Sequence, residues 1–226
     1  MSRYPIILLD ADNTLFDFSR SEEHSLRAAL AHFSLPYDDG LMQRYREANR
    51  LWWQRFERGE TAKAALRVGR WADTLAGLPA LPDLEALNVF YMQRLSECSF
   101  LIPGAEALCR KLRDKHRLFV VTNGSAAIQR SRIAASPLAE LIDGLFISDE
   151  LGWQKPQPEL LEKIFAAIGG PPRSQVIIFG DSLTSDVQGG INAGIDACWY
   201  NPCGETPDRP CTYIVKSFDE FYDIVR

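Results

Sequence analysis

The chain has 226 residues, 46% of them hydrophobic and 24% charged, with a formal net charge of −5. That balance argues against wholesale disorder and suits one large α/β domain or a core with a subsidiary domain. The acidic charge lacks the basic excess that a nucleic-acid polymer requires of its partner, and the N-terminal apolar run is too short for a signal peptide or a membrane span. A cytoplasmic protein without a membrane partner is expected.

In chain order, the first apolar run is Ile6 to Leu9, which stops at Asp10. From there to Pro103 no convincing strand occurs, and the composition, rich in Ala, Leu, Arg, Glu and Trp, favours helix at 3.6-residue spacing. Breaks near Leu35-Pro36, Arg58-Gly59 and Gly77 to Pro82 divide this stretch into about four helices. Within it Tyr45, Trp52, Trp53, Phe56 and Trp71 read first as interior packing, although an aromatic face could also stack a nucleobase.

Beyond Pro103 strands and helices alternate. A helical pattern over Ala105 to Lys115 leads to the apolar run Leu118 to Val121, and Ser125 to Ala134 leads to Leu145 to Ile147. Glu159 to Ile168 precedes Val176 to Phe179, Thr184 to Ala193 precedes Ala197 to Tyr200, and Phe218 to Val225 closes the chain. This rhythm predicts βα units building a parallel sheet, split in sequence by a helical insertion. The five cysteines, Cys98, Cys109, Cys198, Cys203 and Cys211, are irregularly spaced and read as small apolar filler; no C-x-x-C pair or nearby His supports zinc.

In open parallel sheets ligands bind outside the carboxyl ends of the strands. The residues there are Asp10-Ala11-Asp12-Asn13-Thr14 after the first run, Thr122-Asn123-Gly124 after the second, Lys155-Pro156 a short connection past the third, and Gly180-Asp181-Ser182 with Asp186 after the fourth. Two carboxylates two residues apart can place one side chain and an intervening backbone carbonyl beside a hard cation while the other faces a substrate. Asp181 makes the site oxygen-rich and free of thiols, which suits Mg²⁺. Aspartates gathered without positive charge would repel, and Mg²⁺ with Lys155 provides the compensation. Each motif alone is weak, since acids cap helices and lysines sit on surfaces. Their registration at successive strand ends is the signal.

D-A-D-N-T, T-N-G, S-D-E-L-G-W-Q-K-P and G-D-S-L-T-S-D resemble the four motifs of the haloacid dehalogenase superfamily, over nearly the whole chain. The resemblance implies a Rossmann-like core, residues 1–15 with 102–226, and an all-helical cap inserted at 16–101. By position it implies Asp10 as nucleophile and Asp12 as general acid/base. It likewise implies that Thr122, the Asn123 backbone and Gly124 would bind the substrate phosphate and that Lys155 would hold the transferring group to the nucleophile. Asp181 would bind Mg²⁺ alongside Asp10 and the Asp12 carbonyl, with Asp186 behind the ligands. An aspartyl-phosphate would split hydrolysis into two displacements. D-A-D-N-T-L-F and G-G-I-N-A-G-I-D-A-C-W-Y-N are most similar to bacterial nucleoside 5′-monophosphatases that prefer pyrimidines, and next to sialic acid 9-phosphate phosphatases. No physical consequence of Asn13, where sugar-phosphate members commonly have glycine, is evident from the sequence.

The partner expected is therefore a small phosphate ester, and the protein a monomer or weak homodimer. Other readings share some residues. A sugar-phosphate or N-acylneuraminate phosphatase, or a phosphomutase, would carry the same core motifs. A dehalogenase needs neither Asp12 nor a metal, so Asp12 with Asp181 speaks against it. A phospho-acceptor receiver gathers similar residues, but its acceptor lies on a middle strand and it has no large helical insertion after the first.

Overall fold

The computed structural model describes residues 2–226. The chain divides into two compact units, Met1–Phe18 with Ser99–Arg226, and Ser19–Cys98.

The first strand, β1 (Ile6–Leu9), is buried along its whole length, as an uninterrupted Ile-Ile-Leu-Leu run requires. Four helices follow among the described residues: α1 (Phe18–His32), α2 (Asp39–Glu57), α3 (Lys63–Thr74) and α4 (Leu84–Ser96). The chain returns through α5 (Ala105–Leu112), β2 (Arg117–Thr122), α6 (Ala126–Ala134), β3 (Gly144–Ile147), the single turn α7 (Ser148–Leu151) and α8 (Pro158–Ala167). It ends with β4 (Val176–Gly180), a π-helical turn at Leu183–Val187 running into α9 (Gln188–Ala193), β5 (Asp196–Tyr200), β6 (Tyr213–Val215) and α10 (Phe218–Val225).

All six strands of the sheet run parallel in the order β3-β2-β1-β4-β5-β6. Register places Leu9 opposite both Val120 and Phe179. Strand order reverses at β1, so its carboxyl end opens the crevice in which such sheets bind ligands. Side chains alternate between faces with period two. Ile7, Leu9, Val120, Ile177 and Phe179 join a core with α5 and α10, where Phe179 stacks on Phe221 at 4.0 Å. Ile6, Leu8, Val121, Ile178 and Trp199 join the opposite core, covered by α8 and α9.

The five expected strands form. β6 was not expected: it is short, half-exposed and preceded by Pro210 and Cys211, so it carries almost no periodic signal. Near the insertion the chain crosses side by side, with the Asp17 amide donating to the Phe100 carbonyl and the Ile102 amide to the Leu15 carbonyl, both at 2.9 Å.

Within the helical unit, α2 and α4 start where Asp38 and Asp83 accept amide bonds, from Leu41 in the first case and from Glu85 and Ala86 in the second. α2 lies against α3 through Gly69; a Cβ there would fall 2.1 Å from the Trp52 ring. Tyr45 and Trp71 are fully buried and Tyr45, Trp71 and Tyr91 pack as one aromatic cluster. That cluster encloses a polar node with one member from each helix. The Asn49 amide donates to Glu22 at 2.9 Å, and Arg70 donates to the Asn49 and Asn88 side-chain carbonyls at 3.0 and 2.9 Å.

Among the described residues, no helix is long and apolar enough to cross a membrane.

Candidate active site

β1 delivers Asp10 to the switch point, where its backbone amide donates to the Phe179 carbonyl at 2.9 Å. The chain then turns sharply: the Leu15 and Phe16 amides both donate to the Ala11 carbonyl, and Asn13 adopts φ +59°. That left-handed conformation gives Asn13 the physical reason the sequence did not supply, because asparagine and glycine are the residues that tolerate it best. Next along, the Asp181 amide donates to the Thr14 hydroxyl at 3.0 Å, tying the first motif to the fourth.

Lys155 is the hub. Its ammonium donates to Asp10 Oδ1 at 2.5 Å, to Asp186 Oδ1 at 2.6 Å and to the Val121 carbonyl at 2.8 Å, and its side chain is buried. All three ammonium donors are thus used. The Asn123 side chain sets the lysine's backbone, donating to the Lys155 carbonyl and accepting its amide, each at 2.8 Å. Asp186 reaches the strand end because residue 180 is glycine: a Cβ there would fall 2.3 Å from the Asp186 carboxyl carbon. Its second oxygen accepts the Ser182 amide at 3.1 Å.

Carboxylate oxygens of Asp10, Asp181 and Asp186 lie within 4.8 Å of one another. Three carboxylates and one ammonium leave two negative charges when all are ionised. Burial foremost, then Asp186, drives the Asp10 carboxyl up to about 7 against the pull of Lys155. Asp181 is pushed well above the ordinary carboxylate range, first by burial and then by Asp10 and Asp186. Burial opposes the Lys155 charge, but Asp10 and Asp186 outweigh it and hold the ammonium above its usual range. A divalent cation on oxygen donors is what such a set accommodates, and the residues therefore fit Mg²⁺.

Thr122 is buried at the end of β2, and its hydroxyl accepts the Gly124 amide at 3.0 Å. Asp12 stands apart from the acidic cluster. Its Oδ2 accepts from the Gln129 amide at 2.6 Å and its Oδ1 from the Arg132 guanidinium. Gln129, Arg132, Thr14 and Trp199, whose indole donates to the Asp181 carbonyl at 2.7 Å, were not singled out from the sequence. A glutamine and an arginine three apart on the helix that follows T-N-G were the only available signal for the first two.

Residues 4–194 match the haloacid dehalogenase-like hydrolase family. A putative hydrolase of that family from Bacillus subtilis, YfnB, is 32% identical over all of this chain and 97% of its own. Its crystal structure, described as bound to magnesium, superposes with a TM-score of 0.93 over 98% of each chain. The pyrimidine 5′-nucleotidase YjjG of Escherichia coli is 32% identical over 97% of this chain and 96% of its own. The pyrimidine 5′-nucleotidase PynA of Streptococcus pneumoniae is 33% identical over 97% and 94%. A family match over most of the chain, relatives aligned from end to end, and the acidic strand-end cluster together establish that this protein belongs to the haloacid dehalogenase-like hydrolases.

Proposed function

We propose that the protein is a Mg²⁺-dependent phosphatase that hydrolyses small phosphate monoesters, pyrimidine nucleoside 5′-monophosphates above all, through an aspartyl-phosphate on Asp10. One observation carries the reading: a buried ammonium bridges Asp10 and Asp186 inside an all-oxygen acidic cluster at the sheet's switch point. The pyrimidine preference is supported by the similarity to YjjG and PynA.

Asp10 and Asp181, with the Asp12 backbone carbonyl, are assigned to the cation, whose charge would draw electron density from the phosphoryl group. Asp186 has one oxygen on Lys155 and the other on the Ser182 amide, which suits a place behind the ligands, holding the lysine. Lys155 holds Asp10 in place and neutralises oxygens of the transferring group. Thr122, Asn123 and Gly124 form the phosphate cradle.

In the first displacement an Asp10 oxygen forms a bond to phosphorus as the bond to the ester oxygen breaks, and Asp12 gives that oxygen its proton. In the second, the ionised Asp12 takes a proton from water. The water oxygen then bonds to phosphorus, the bond to Asp10 breaks, and inorganic phosphate leaves. The helical unit, Ser19–Cys98, is assigned the part of a cap that selects the ester group.

A phosphate-release screen with Mg²⁺ over nucleotides, sugar phosphates, phosphoglycolate and N-acylneuraminate 9-phosphate tests the reading. UMP, dUMP and dTMP should give higher kcat/KM than AMP or GMP. A hexose phosphate or N-acylneuraminate 9-phosphate at the top would overturn the substrate class and leave the chemistry standing. Undiminished turnover after chelation would overturn the metal dependence.

A further inference from the structure

The bonds to Asp12 are made by two residues of one helix face. Gln129 and Arg132 lie three apart on α6, nearly one turn, and their donors take one oxygen each of the same carboxyl. Both are buried, Arg132 fully. The Arg132 guanidinium lies over the Phe16 ring at 4.4 Å, and Phe16 belongs to the same D-A-D-N-T-L-F stretch as Asp12. The stretch thus supports the arginine that holds its own carboxyl. Gln129 reaches Asp12 by crossing the face of Gly124: a Cβ on that glycine would fall 2.3 Å from the Gln129 amide nitrogen and 2.7 Å from its Cγ.

From this arrangement we infer that Gln129 and Arg132 are positioning residues that aim the Asp12 carboxyl at the ester oxygen, and that residue 124 is glycine to let Gln129 pass. The inference rests on the reading of Asp12 as proton donor. Asp12 lies just before the turn at residues 13–15, bridged by its backbone to Phe16, and its half-exposed side chain would otherwise sample several rotamers. Each carboxyl oxygen has two lone-pair positions, so one bond apiece still leaves Asp12 able to carry and transfer a proton. Because α6 opens directly after T-N-G, the loop assigned to the phosphate and the carboxyl assigned to the leaving group are set by one rigid element. A misplacement of about 1 Å in such a group can cost on the order of 10²-fold in rate.

The test compares an unactivated alkyl ester with p-nitrophenyl phosphate, whose leaving group needs little protonation. The alkyl ester is UMP, or glycerol 2-phosphate should the unaltered enzyme not cleave UMP. The quantity read is kcat/KM, which covers events up to the first P–O cleavage. Arg132→Met and Gln129→Leu should each lower it about 10- to 100-fold for the alkyl ester and less than about threefold for p-nitrophenyl phosphate, with Arg132→Lys recovering part of the loss. General damage to the fold would lower both esters by the same factor. Equal falls, or no fall with either ester, overturn the inference. If one variant does not fold, the other carries the same ratio. Asp12→Asn is the reference: if it fails to discriminate between the esters, the proton-donor reading falls, whereas an Asp12→Asn enzyme that discriminates beside Arg132 and Gln129 variants that do not removes the positioning role alone.

Discussion

Both units bury charge, and they do so in opposite ways. At the strand ends three carboxylates gather near one ammonium that bonds two of them, so the charge does not close and two of the acids are driven upward. In the helical unit Arg70 and Glu22 are one of each sign, joined through the neutral amide of Asn49, while Asn88 accepts a second Arg70 bond. The first arrangement keeps an excess of negative charge; the second balances its charge and links four helices. Buried charge left open marks chemistry, while buried charge that closes on itself marks architecture.

The largest expected effects break the first side of the comparison. Asp10→Asn should abolish turnover, by more than about 10³-fold, and leave no acid-stable phosphoenzyme in intact-protein mass spectrometry, because a carboxamide is a poor nucleophile. Asp12→Asn should lose about 10²- to 10⁴-fold yet let phosphate accumulate on Asp10 when p-nitrophenyl phosphate is the substrate. Label found on Asp12, or on the Asp10→Asn enzyme, would reverse the two roles.

On the other side, Arg70→Met removes the positive charge that balances the buried Glu22 carboxylate and should cost about 3–5 kcal/mol in urea unfolding. Adding Glu22→Gln should restore much of that. If the single variant is as stable as the parent, the node does not close its charge as drawn.

Proton linkage sharpens the contrast. Burial and then Asp186 push the folded Asp10 carboxyl up to about 7 from the ordinary 3.8, so the folded state should bind the extra proton between those values. Without metal, the stability this supplies is full below about pH 4 and fades as pH rises through about 7; Asp181 acts in the same direction. Asp10 alone would account for about 4 kcal/mol of that loss, and Mg²⁺ should restore it. A chelated protein whose Tm climbs steadily from pH 5 to 8 would contradict the open-charge description.

The smallest effects come from two glycines. Gly180→Ala drives a methyl into the Asp186 carboxyl and should cut activity, whereas Gly69→Ala drives one into the Trp52 ring and should lower stability, each by about 1–3 kcal/mol of overpacking. Activity and Tm, measured on both, should dissociate in opposite directions.

The acids and Lys155 could be read from the sequence because apolar runs announce strands and the residues just past them have a known place in a parallel sheet. Gln129 and Arg132 could not, since on an amphipathic helix following a strand both look like ordinary solvated positions, and only the return of α6 over the first turn brings them to Asp12. The Glu22, Asn49, Arg70 and Asn88 node is hidden for a similar reason: each residue sits on a different helix, and nothing local links them. β6 was missed because three residues give no period to count.

The paired crossing at Phe16 and Leu101, where Asp17 meets Phe100 and Leu15 meets Ile102, has a consequence for how such a chain can diversify. Closed at its base by backbone bonds, the insertion is to the sheet only a long loop, and each doubling of loop length adds only about 0.6 kcal/mol of closure entropy. Helices can therefore be exchanged, lengthened or recombined between those two strands of chain while β1 keeps its place between β2 and β4. The insertion and the sheet that carries the acidic cluster are free to change at separate rates within one gene.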